Sequence, residues 1–149
     1  MLIRWLLAAT HLLGLGVGLG AVWTRARALK GVIDPPAARR ILQSDAWWGV
    51  AALIWLSTGL VRAFSGLEKG SDYYLANHLF LTKMGLFVII VALEVRPAMT
   101  FRRWRGDLAS GRQPDVQSAP TLGSISTVQA ILVIVMVFLA TGMARGFGS

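Results

Sequence analysis

The sequence contains no cysteine, which excludes disulfides, thiolate metal sites, iron–sulfur clusters and covalently attached c-type haem. It has only two histidines, His11 and His78. A redox metal held by strong nitrogen ligands must use one or both, and a second bis-histidine haem has no ligands left. Acidic residues are scarce, seven against fifteen Lys and Arg. Within the apolar runs there is no phosphate-cradling loop, no nucleophile beside a base and no carboxylate pair, so hydrolysis and phosphoryl transfer have no support. The net charge of +8 does not point to nucleic acid either, because the arginines sit in short connections and not in a stripe interleaved with aromatics.

What is abundant is apolar sequence: 55% of the 149 residues are hydrophobic and 15% charged. The apolar residues fall into four blocks, 5–23, 46–64, 73–95 and 122–143, each long enough to cross a hydrocarbon layer about 30 Å thick. With no sheet-like alternation, and every backbone group in lipid needing an internal partner, these spans predict an all-α integral membrane four-helix bundle forming one domain over 1–149. The first block follows Arg4 like a secretion signal, but Arg25, Arg27 and Lys30 directly behind it favour a retained span.

Counting basic residues by connection sets an orientation. Arg25, Arg27, Lys30, Arg39 and Arg40 lie in the first loop, and Arg96, Arg102, Arg103, Arg105 and Arg112 in the third. Arg4, Arg62, Lys69 and Arg145 lie on the other side, four against ten. The bias places both termini outside, on the periplasmic face, and the two basic loops in the cytoplasm. Asp34 before Pro35 and Pro36 reads as a helix cap, so the second helix begins well before its membrane portion. The third helix is expected to run on until Pro97 disturbs it. "GDLASGRQPDVQSAP" reads as a flexible polar connection. Trp5, Trp23, Trp47, Trp48 and Trp104 fit interfacial belts, Trp55 fills a core, and Glu94 is an ordinary ion-pair partner at the cytoplasmic edge.

The run "YYLANHLFLTKMGLFVIIVALEVR" carries a histidine and a lysine where lipid should be. "ATHL" in the first span and "ANHL" in the third put His11 and His78 at similar depth, roughly 8–9 Å below the outer boundary on helices of the same direction. Ionisable side chains at such depths must be paired, ligated or facing water. Two imidazoles at one level predict axial ligation of one b-type haem, whose ring fills the bundle core. Gly14 and Gly18 of "GLGVGLG" would give that ring room, although close helix packing is the plainer reading of the same glycines. Arg4, Arg62 and Lys69 would hold its propionates by charge-assisted hydrogen bonds. Lys83, near mid-membrane, would pair with a tetrapyrrole carboxylate or handle protons. The alternative is that each histidine is structural, donating to a neighbouring helix.

The segments "LLAATHLLGLGVGLGAVWTRARAL", "SDAWWGVAALIWLSTGLVRAF" and "GLEKGSDYYLANHLFLTKMGLF" resemble a family of small bacterial inner-membrane proteins known only as a predicted membrane domain of unknown function. More distantly, His11, Arg62 and Lys83 resemble positions in two four-span groups, the haem-dependent membrane-bound protoporphyrinogen oxidase and the copper-resistance D proteins. The sequence departs from the oxidase in lacking a tryptophan over 79–82 and in having His78. These resemblances imply a multi-pass protein of the bacterial inner membrane, in electron transfer or tetrapyrrole oxidation as a haem-dependent oxidoreductase. Two further readings stay open. One is an accessory subunit of a larger respiratory or photosynthetic complex, or a homo-oligomer; the other is a copper or small-solute permease, for which the chain is poor in soft ligands.

Overall fold

The computed structural model describes residues 1–65 and 71–147; Lys69 lies outside them. All regular structure among these residues is helical: α1 Leu2–Ala28, α2 Pro35–Phe64, α3 Ser71–Ala76, α4 His78–Ala109 and α5 Ala119–Ala144. Four of the five, all but α3, are long and apolar enough to cross a membrane. Each apolar block expected from the sequence falls within a helix, except that the third begins in α3 and continues in α4.

Local chemistry sets the helix starts. The Asp34 carboxylate accepts from the Ala37 N–H at 2.7 Å, and prolines occupy the first positions, where no N–H is missed. At 1.5 Å per residue, α2 and α4 are about 45 and 48 Å long, so both project beyond a 30 Å slab. Pro97 does not end α4; the helix runs through it to Ala109 with Pro97 buried. The following connection is folded, not loose. Gly111 takes a left-handed φ of 71°, Arg112 N–H returns to the Asp107 carbonyl at 2.8 Å, and the Trp104 indole donates to the Asp115 carbonyl at 2.9 Å.

The packing order around the bundle is α2, α1, α5, α4. The contact of α1 with α2 is the most extensive, α1 with α5 and α4 with α5 follow, and the α2 and α4 backbones come close at few points. Gly14 and Gly18 create the α1–α2 seam. A methyl at Gly14 would lie 3.1 Å from Ile54 Cγ2, and one at Gly18 would lie 3.3 Å from Ala51 Cβ. Beyond the span, Leu29, Ile41, Phe101, Trp104 and Leu122 close a separate small core at the basic-loop end.

Candidate functional site

The end of the bundle near the basic loops is held by one side chain that the sequence places in a loop. Arg25 belongs to the last turn of α1 and is 0% exposed. Its Nε donates to Ser126 Oγ at 3.1 Å, Nη1 to Asp45 and Glu94 at 2.8 Å each, and Nη2 to Glu94 at 2.9 Å and Gln129 at 2.8 Å. All five N–H donors are used. Trp48 Nε1 and Gln129 Nε2 also donate to Glu94, and Arg105 donates to Asp45. The network joins α1, α2, α4 and α5. Glu94 therefore is an ion-pair partner, as expected, but of a buried arginine. Trp48 and Trp104 are core residues and not interfacial ones.

Toward the chain termini the bundle holds a cavity of about 410 Å³, within the usual range for small-molecule sites. His11, Trp55, Gly59, Arg62 and Lys83 line it, with Phe80 and Met136 among its apolar walls. A smaller recess of about 50 Å³ between α2 and α4 shares His11, Trp55 and Lys83.

His11 is oriented by α2. Its Nδ1 lies 2.9 Å from Thr58 Oγ1, and the Thr58 hydroxyl donates its only proton to the Ile54 carbonyl at 2.6 Å. With that proton engaged, Thr58 Oγ1 is placed to accept from Nδ1–H of the neutral His11 ring, which favours the Nδ1-protonated tautomer. Gly59 allows this approach, since a methyl there would come within 3.2 Å of His11 Cε1. The Trp55 ring lies 5.6 Å from the imidazole, centroid to centroid, and Lys83 Nζ sits 5.4 Å from the centroid of the Trp55 ring. Trp55 Nε1 is the one buried side-chain polar atom among the described residues with no hydrogen-bond partner.

The other expected site residues are placed differently. His78 is the first residue of α4, is exposed, and does not line the cavity with His11. The expected convergence of the two imidazoles is therefore corrected. The cause is Asn77, which breaks the third span: its side chain caps α4 by accepting from Leu79 and Phe80 N–H, and it donates to the Phe147 carbonyl. The break resets the helical phase that equal-depth counting assumed to be continuous. Arg4 is exposed and off the cavity, whereas Arg62 lines it. Gly14 and Gly18 face α2 and not the cavity. Thr58 and Gly59 were missed by sequence reasoning, as was the buried role of Arg25. Their spacing in α2, three and four residues after Trp55, was the available signal. Among the described residues, no group of three or more His, Asp or Glu side chains could hold a metal ion.

These features define a small helical membrane protein with a cavity inside the span, floored by one oriented histidine and bordered by cations. The chain belongs to the family described as "Predicted membrane protein (DUF2214)", which matches residues 3–148. No curated protein and no solved structure matches it.

Proposed function

We propose that the cavity holds a b-type haem, or a closely related tetrapyrrole, with His11 Nε2 as the protein ligand to iron, and that the protein serves electron transfer or tetrapyrrole oxidation in the bacterial inner membrane. The observation that carries this reading is the Thr58–His11 hydrogen bond. It favours one tautomer of a single imidazole and orients the ring at the edge of an apolar cavity, which is how metal-binding histidines are commonly prepared. The donor set fits the group: an apolar body would meet Phe80, Met136 and Trp55, and carboxylates would meet Arg62 and Lys83. Bound haem supplies reversible one-electron chemistry. The chain itself orients the ligand through Thr58, keeps water out with the surrounding helices, and offers cations to anionic groups. The basic-loop bias supports a cytoplasmic position for the Arg25 end of the bundle, with the His11 cavity toward the opposite face. The distant likeness to the protoporphyrinogen oxidase at His11, Arg62 and Lys83 supports the same reading, since all three residues line the cavity.

The test is the optical spectrum of protein purified after expression with ample haem. Wild type should show a reducible Soret band, His11→Ala should lose it, and His78→Ala should keep it. A colourless wild type, or a band that persists in His11→Ala, counts against the proposal. Loss in His78→Ala instead would restore the two-histidine arrangement.

One observation favours the accessory-subunit reading. Gly16 and Gly20, the second glycine pair of α1, have nothing within 4 Å of where a methyl would sit, leaving a smooth strip open to another helix. Co-purification of a larger complex with a chromophore-free protein would support it.

A further inference from the structure

At the basic-loop end, Ala92, Arg96, Met99, Arg103 and Asp107 recur at intervals of three and four and so form one stripe along α4. They line a recess of about 510 Å³, closed on its other side by Asp115 and Ser118. The far wall is built. Trp104, 1% exposed, donates to the Asp115 carbonyl, and Asp107 is engaged by Arg112 through both its carbonyl and its carboxylate at 2.8 Å.

The charges in this recess are unequal in their partners. Asp107 is paired with Arg112, and Asp115 Oδ1 accepts from Gln117 N–H at 3.0 Å. The side chains of Arg96 and Arg103 make no hydrogen bond or ion pair among the described residues, and the Asp115 carboxylate across from them is met only by a backbone N–H; with Arg112, three arginines stand against two aspartates, a formal net charge of +1 whose two unpaired cations lie together on α4. Depth then narrows the ligand. Counting about 20 residues for the hydrocarbon layer from His78 puts Arg96 at its boundary, with Arg103 roughly 10 Å farther out. The Cα–Cβ bond at Arg103 tilts back toward the bilayer, because side chains lean toward the helix N-terminus. Ala92 and Val95 continue the wall into the hydrocarbon. The recess thus has an apolar foot inside the lipid and two unpaired guanidiniums at headgroup level.

We propose that this recess seats one anionic glycerophospholipid, its phosphodiester held between Arg96 and Arg103 and an acyl chain lying along Ala92 and Val95. Guanidinium forks suit phosphate oxygens, and basic recesses at membrane level recognise anionic headgroups. The site shares no residue with the His11 cavity and stands whether or not haem binds there.

The experiment is native mass spectrometry of the full chain released from bilayers containing phosphatidylglycerol and phosphatidylcholine in equal amounts. Wild type should retain one phosphatidylglycerol with a preference of about tenfold or more. Arg96→Gln/Arg103→Gln should lose that preference, each single variant should lose part of it, and Arg102→Gln, whose residue does not line the recess, should keep it. Equal retention of phosphatidylcholine by wild type would overturn the proposal, as would unchanged phosphatidylglycerol binding in the double variant. Displacement of the lipid by millimolar inorganic phosphate would reassign the site to a free anion. The single variants keep the test decisive should the double variant fail to insert.

Discussion

The two ends of this bundle treat buried polarity in opposite ways. At one, Arg25 satisfies every donor it has against three other helices; at the other, His11, Trp55 and Lys83 surround a cavity of about 410 Å³ and one indole N–H has no partner. In a medium without water an unsatisfied polar group is costly, so a chain keeps one only where something else is gained. The saturated end reads as architecture. The unsaturated end reads as a place for a ligand.

That contrast can be broken experimentally. The largest effect should come from Arg25→Ala, which strands Asp45 and Glu94 without their buried partner. It should cost about 3–5 kcal/mol or prevent folding, measured by thermal unfolding in detergent. Glu94→Gln keeps the shape of an acceptor and removes its charge, so a smaller loss of about 1.5–3 kcal/mol is expected. A double-mutant cycle with Arg25→Gln should show strong coupling between the two residues. Thr58→Val removes the acceptor for His11 Nδ1–H. It should cost about 1 kcal/mol in stability but lower haem retention about 10- to 100-fold, read from the Soret band after dialysis. Trp55→Phe is the smallest and most telling change. Removing an unpartnered N–H should leave the melting point of ligand-free protein unchanged or slightly raised. A loss on the scale of Thr58→Val would mean that the cavity end is architecture too.

How much of this was readable in advance depended on the range of the interactions involved. The Asp34 cap is read within four residues, and the spans follow from hydropathy summed along one segment; both are local and both were legible. Arg25 was not, because an arginine just after an apolar run looks the same whether it enters water or turns inward. What decides is the presence of Asp45, Glu94, Ser126 and Gln129 on three other helices. His78 failed for a related reason. The residue before it, Asn77, is a cap and not part of a continuous helix, so counting residues from Tyr73 gave a depth but not the direction in which the side chain leaves α4. Lys83 drew notice as a cation deep in an apolar run and Arg62 as a basic residue at the outer end of its span, and the fold places both on the cavity that His11 lines.

The sparse backbone approach of α2 to α4, which meet mainly through long side chains, has a mechanical consequence. The α1–α2 and α4–α5 hairpins are joined along α1 and α5 as the covers of a book are joined at its spine, and the Arg25 cluster clasps all four helices at one end of that spine. Any parting of the covers must therefore be widest at the opposite end, beside His11. A flat molecule dissolved in the bilayer could slip in edgewise there without any span leaving the membrane.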